Sequence, residues 1–283
     1  MDRTRALVQI IFTVITNGYI KGFMTGTIYT GATKTVCVPG LSCYSCPGAL
    51  GSCPIGAYQA VVNDKNFSVS FYIIGFLTVV GGACGRFVCG WLCPFGLFED
   101  LIYRIPSKYK IRDVRGDRYL KYIKYLMLAV FVVLLPTFAS GIAGQGDPWF
   151  CKYICPSGTL MAGLPLLATN ESLRTALGML FVWKAALLAL LIFISVIVYR
   201  PFCRYICPLG AVYGLFNKIS LYRYSFAAEK CINCGGCRKA CLLGISANEH
   251  ANSADCIRCG KCIRACGTGA LRGGMLSLEN REE

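Results

Sequence analysis

Cys231-Ile-Asn-Cys234-Gly-Gly-Cys237-Arg-Lys-Ala-Cys241 and Cys256-Ile-Arg-Cys259-Gly-Lys-Cys262-Ile-Arg-Ala-Cys266 repeat one spacing twice. Three thiols at intervals of three, with a fourth four residues later, can converge on the corners of an iron–sulfur cube. Zinc sites favour two Cys-x-x-Cys pairs across a long gap, so a third cysteine at the same short interval argues against zinc. The eight cysteines therefore point to two [4Fe-4S] clusters in residues 224–283, a small α+β ferredoxin-like domain.

The chain around this pair of runs is apolar. It has 283 residues, 55% hydrophobic and 15% charged, with a mean hydropathy of +0.54. Soluble domains carry roughly 25% charged residues. Four segments approach the roughly 20 apolar residues that cross a bilayer: 6–28, 68–88, 120–139 and 177–198. Asn17, Gly18 and Lys21 interrupt the first. That span starts behind Arg3 and Arg5 like a signal peptide, but no small-residue cleavage site with a soluble domain follows, so it reads as a retained anchor.

The net charge of +15 belongs with these spans. Arg104, Lys108, Lys110, Arg112, Arg115, Arg118, Lys121 and Lys124 fall between spans two and three; Arg200, Arg204, Lys218 and Arg223 follow span four. The positive-inside rule then gives a multi-pass protein of the cell's inner (cytoplasmic) membrane with both termini cytoplasmic. Reducing conditions there keep the C-terminal thiols available as ligands. No nucleic-acid module accompanies the charge, which argues against a nucleic-acid partner.

Of the nineteen cysteines, eleven remain in residues 1–223. Three groups share a pattern: Cys89-Gly-Trp-Leu-Cys93-Pro94, Cys151-Lys-Tyr-Ile-Cys155-Pro156 and Cys203-Arg-Tyr-Ile-Cys207-Pro208, with Gly96, Gly158 and Gly210 two residues after each proline. Cysteines four apart share a helix face, so each motif offers two sulfurs, and two motifs supply the four thiolates of a cube. The chain reads as a parallel internal repeat, about 6–104 and 120–223, that brings matching segments around an axis along the membrane normal. Cys89, Cys93, Cys203 and Cys207 would meet near the inner face and hold one further cluster. Cys151 and Cys155 would face Cys43, Cys46 and Cys53 on the outer side and hold another. Cys43-Tyr-Ser-Cys46-Pro47 departs from the repeat, and Cys37 and Cys84 have no evident partner. The membrane thiols also allow other readings: buried packing groups, disulfide-cycling dithiols, or a soft-metal site such as copper.

The absences narrow the chemistry. His250 is the sole histidine, and no Cys-x-x-Cys-His occurs, so neither a bis-histidine nor a covalently attached haem is expected. No Gly-rich dinucleotide fingerprint is present. The chain as a whole is expected to be mainly α, a four-span bundle or one of five helices, carrying electrons without substrate chemistry of its own.

The stretches 89–96 and 203–210, followed by the double run, resemble the NapH/NosR/CcoG-like polytopic membrane iron–sulfur proteins, over nearly the whole chain from Arg5 to Leu271. The wording Cys37-Val-Pro-Gly-Leu-Ser-Cys43-Tyr-Ser-Cys46-Pro-Gly is similar to a subgroup common in anaerobic bacteria and close in architecture to NapH. The resemblance implies electron transfer between cytoplasmic or membrane donors and an extracytoplasmic redox partner, with quinol dehydrogenase-like character. The partners it implies are an extracytoplasmic flavoprotein or reductase, a cytoplasmic ferredoxin-type donor, and quinone. For CcoG-like members it implies instead copper-ion reduction during oxidase assembly, and a redox-sensing role is a neighbouring alternative. Two departures stand out: Leu242 and Gly267 follow the last cysteine of each run where ferredoxins have Pro, and no extracytoplasmic flavin-binding domain is present. On the bacterial ferredoxin pattern the fourth cysteine of each run serves the other cube. This gives Cys231, Cys234, Cys237 and Cys266 for one, and Cys256, Cys259, Cys262 and Cys241 for the second.

Overall fold

A computed structural model describes residues 3–62, 71–112, 114, 116–138, 147–175 and 177–275. The expected start of span two at residue 68, the end of span three at residue 139, Arg115, and the tail after residue 275 lie outside the described residues. The fold is mainly helical, with a two-stranded antiparallel sheet near the C-terminus.

Among the described residues two helices are long and apolar enough to cross a membrane: α5, Asp117–Phe138 (22 residues), and α6, Met179–Ile197 (19 residues). The most apolar window of each is only 17% buried inside the protein, which leaves their apolar flanks outward, unlike the core helices of a soluble domain. The helix α3, Phe71–Cys84, is apolar but shorter. The first expected span is broken. Helix α1 covers Arg3–Thr16, and a separate turn runs Ile20–Thr25. Threonine and asparagine side chains end α1 by competing for its last carbonyls: Thr16 Oγ1 donates to Phe12 O (2.8 Å) and Asn17 Nδ2 to Thr13 O (3.2 Å). At 1.5 Å per residue, 14 residues reach about 21 Å, short of a bilayer's hydrocarbon core.

Shorter helices carry the cysteines. Helices α2 (Pro54–Val62), α4 (Pro94–Ile102) and α7 (Pro208–Phe216) all begin at a proline whose preceding residue is a cysteine. Proline is favoured there because the first helical N–H has no intrahelical acceptor to lose. Helix α1 packs on α4, α6 on α4, and α7 on both α3 and α5. Strand β1, Tyr222–Phe226, pairs with β2, Leu271–Met275, in the register Tyr222↔Met275 to Phe226↔Leu271. The two cysteine runs lie between these strands.

Candidate iron–sulfur sites

Each Cys-x-x-x-Cys-Pro-x-Gly stretch folds as a widened turn followed by a helix cap. The amides of Cys93, Cys155 and Cys207 donate five residues back, to Val88 O (3.1 Å), Phe150 O (2.8 Å) and Phe202 O (2.9 Å). Residues Phe150–Ile154 and Phe202–Ile206 are π-helical, a conformation that recurs at functional sites. The cysteine before the proline is the helix N-cap. Cys93 Sγ accepts from Gly96 N–H and Cys207 Sγ from Gly210 N–H, both at 3.4 Å. A sulfur held at a helix N-terminus by an N–H donor is favoured as thiolate, the form that binds iron.

The inner pairs meet. Cys89, Cys93, Cys203 and Cys207 are all buried, and each of the last three lies within electrostatic reach of another member. Burial drives the Cys93, Cys203 and Cys207 thiols upward, Cys93 to about 11, so free thiolates are unfavourable there without a bound cation. The shell around them is cationic. Arg200 Nη1 donates to Cys89 O (2.5 Å), and Arg86 Nη2 donates to Cys203 O (2.8 Å). Each arginine sits three residues before the first cysteine of its own motif and reaches the first cysteine of the other. The motif glycines face the same guanidinium groups. A Cβ on Gly96 would lie 3.1 Å from Arg200 Nη1, and one on Gly210 3.2 Å from Arg86 Nη2. Asp100 binds Arg200 through Nε (2.8 Å) and Nη2 (2.6 Å), and also pairs with Arg5. Glu99 lies against Cys203 and accepts from Phe202 N–H (2.9 Å), and burial pushes its carboxyl up to about 7. Among the described residues Arg86 Nε and Glu99 Oε2, both buried, have no hydrogen-bond partner. Buried arginines around four converging thiols suit an anionic thiolate-ligated cube, whose charge they would offset.

The outer set is narrower than the sequence implied. Cys43, Cys53, Cys151 and Cys155 line one cavity of about 280 Å³ together with Lys184. Cys46 is buried beside them but does not line it. Spacing alone sets Cys43-x-x-Cys46-Pro against the repeat. The structural counterpart is Cys53-Pro54-Ile55-Gly56, which heads α2 as Cys93, Cys155 and Cys207 head their helices. Gly56 takes the motif glycine's place there: a Cβ on it would stand 2.6 Å from the Tyr44 ring and 3.8 Å from Cys151 Sγ. Lys184 fills the arginine's place here. Its Nζ donates to Cys151 O (3.1 Å) and lies 3.5 Å from a Cβ built on Gly158. A lysine in an apolar helix thus has an internal acceptor.

The C-terminal cysteines separate into two groups. Cys231, Cys234, Cys237 and Cys266 line a cavity of about 330 Å³. Cys241, Cys256, Cys259 and Cys262 are electrostatic neighbours in the other group. The runs share backbone as well as spacing. Asn233 and Arg258, both left-handed (φ 51° and 52°), occupy the same place in each Cys-x-x-Cys, and Gly235 and Gly260 follow at φ 67° and 76°. Cys241 Sγ accepts from Ile245 N–H at 3.4 Å. Among the described residues no three Cys, His, Asp or Glu side chains converge on a single ion. A cube spreads its four thiolates over its corners, so it makes no demand for such a point.

The sequence reading missed Arg5, Arg86, Arg200, Glu99 and Asp100. A signal existed in Arg86-Phe-Val-Cys89 and Arg200-Pro-Phe-Cys203, an arginine at one offset in both inner motifs, with Pro148 there in the outer one. Cys37 is buried with its amide donating to Tyr72 Oη (3.2 Å), and Cys84 is half-buried against the core, its carbonyl accepting from Arg258 Nη1 (2.9 Å).

These features define a ferredoxin-type electron-transport protein with several 4Fe-4S binding domains. Residues 67–112, 125–169 and 179–223 each match a 4Fe-4S binding domain family, one Cys-x-x-x-Cys-Pro motif per match, and residues 251–272 match a second 4Fe-4S binding domain family. The chain belongs, as a distant member, to the 4Fe-4S binding protein family that includes NosR, NirI, MauN and YccM. It is 32% identical over 171 residues to the methylamine utilization ferredoxin-type protein MauN of Methylorubrum extorquens, covering 60% of this chain and 50% of that one. It is 29% identical over 157 residues to the putative electron transport protein YccM of Escherichia coli, covering 54% and 40%. To the regulatory protein NosR of Stutzerimonas stutzeri it is 28% identical over 169 residues, covering 58% and 21%. The chain spans about half the length of the curated relatives it matches first. No solved structure gives a significant match.

Proposed function

We propose that this protein passes electrons between a cytoplasmic or membrane donor and an extracytoplasmic redox partner, through four sets of four cysteines. The carrying observation is continuity. Cys53, Cys155, Cys89, Cys93 and Cys207 lie in one buried core, with Cys151, Cys241, Cys256 and Cys259 packed against it; Cys256 also packs, with Cys237 and Cys266, against the second cluster, which holds Cys262. Each cube, when bound, supplies a one-electron couple. The residues do the remaining work. They exclude water, hold the sulfurs as N-caps, and set cations against them.

In this reading the chain makes four crossings with both termini inside, the first by α1 together with the separate turn Ile20–Thr25 rather than by one continuous helix, and residues 224–283 form the cytoplasmic domain. The outer loop shortens the path. Pro39-Gly40-Leu41 reaches down to the inner motif: a Cβ on Gly40 would stand 2.9 Å from Pro94 Cδ, and Tyr213 Oη donates to Pro39 O (3.0 Å). A flavoprotein or reductase outside, a ferredoxin-type carrier inside and quinone in the membrane are the partners that fit this direction of travel.

Anaerobic purification with iron and sulfide counts and EPR tests the reading. About twelve to sixteen irons per chain support it, since each cube holds four; about eight would confine the clusters to the C-terminal runs and sink it. Cys89→Ser and Cys203→Ser should each lower the count by one cube.

A further inference from the structure

We infer that Ile257 and Arg258, inside the first Cys-x-x-Cys of the second run, form a latch that seats one C-terminal cysteine quartet directly on the inner one, with Arg258 as the positioning residue. This rests on the electron-transfer reading above. The two runs have the same backbone but opposite surroundings. In the first, Ile232 is 71% exposed and Asn233 is exposed. In the second, Ile257 is 2% exposed and Arg258 fully buried.

The inner motif itself covers the second run. A Cβ on Gly90, the residue after Cys89, would fall 2.1 Å from Ile257 O, so backbone lies against backbone there and only glycine fits. Trp91 Nε1 donates to Arg258 O (3.0 Å). Arg258 donates from Nη1 to Cys84 O (2.9 Å) and from Nη2 to Asn217 O (2.6 Å). Asn217 Nδ2 donates back to Ser253 O and Cys256 O, both at 2.8 Å. Arg86, which holds Cys203 O, also donates to Ala254 O (3.0 Å). One set of bonds therefore joins residues that flank Cys89 and Cys203 to residues that flank Cys256.

A guanidinium with two carbonyl acceptors on the opposite surface supplies directional bonds that the exposed Asn233 of the first run lacks. Asparagine tolerates the left-handed backbone, so Arg258→Asn removes the latch while sparing the turn that presents Cys256 and Cys259. The expected result for full-length Arg258→Asn in detergent is unchanged iron content and faster amide hydrogen exchange, by about tenfold or more, across residues 84–91 and 253–259. Magnetic broadening between the inner centre and its C-terminal neighbour should also be lost in EPR. Arg258→Lys should recover part of the protection, and Arg272→Asn, on the exposed end of the sheet, should change none of these signals. If Arg258→Asn loses iron, the same exchange measurement on Trp91→Phe decides. Exchange rates equal to wild type in the decisive variant overturn the latch. A wild-type count of about eight irons would overturn the membrane clusters instead, while the exchange comparison would still read the docking.

Discussion

Cys46 and Cys53 stand seven residues apart in one loop, and only Cys53 shares the outer cavity. The residues just C-terminal to each cysteine separate them. Cys53 leads into Pro54-Ile55-Gly56 and a helix; Cys46 leads into Pro47-Gly48 and a turn closed by Ala49 N–H to Cys46 O (3.2 Å). The helix aims one sulfur at Cys151 and Cys155, whereas the turn tucks the other away. Cys53→Ser should therefore remove about four irons, one cube's worth, while Cys46→Ser should leave the iron assay unchanged. Equal losses from both would make Cys46 a ligand and undo the assignment. Position-by-position spacing could not make this distinction, since Cys43-x-x-Cys46-Pro looks nearer to the repeat than Cys53 does. The Pro-x-Gly after Cys53 carries the information.

At the level of elements, α1 and α4 meet α6 through charges that hydropathy cannot reveal. Arg5 from α1 and Arg200 from just beyond α6 share Asp100 on α4, with all three buried. Burial works against the Asp100 carboxylate, but Arg200 and Arg5 together hold it below its ordinary value. Asp100→Asn would leave two buried guanidinium groups without their counter-charge, at a cost of about 3–5 kcal/mol. Thermal unfolding in detergent should show that loss at neutral pH. The lowered value fixes the sign of the pH dependence. The carboxylate's contribution is complete above about pH 4, its unfolded value, and is lost as pH falls below that. Wild type and Asp100→Asn should then converge in acid, and a constant gap down to low pH would contradict the assignment. The three Cys-x-x-x-Cys-Pro motifs, the two long apolar helices and the double run were all legible in the chain, because each is a local pattern. The break after Thr16 was visible only as an interruption at Asn17 and Gly18. The arginine cross-links were not legible, because each joins residues that only the packed helices bring together.

For the whole molecule, the four quartets differ in how much chain they need. The C-terminal pair draws on two neighbouring runs. The inner one draws on Cys89 and Cys93 from one match to the family and Cys203 and Cys207 from another, each half braced by the other's arginine. That exchange has a consequence for biogenesis. While the chain is being made, the inner half-site at 89–93 must enter the membrane with two thiols and no partner, and Arg86 has no Cys203 carbonyl to bind. If the inner quartet holds a cube as proposed, iron can be installed there only after residue 207 has been synthesised and α7 has docked. A chain truncated after residue 198 should hold no inner cluster, however abundant the iron–sulfur assembly machinery, and co-expression with the missing segment should restore it. On the proposed assignment the protein would thus acquire its inner metal only once both halves of the bundle are present, so that loading this site doubles as a check on their assembly.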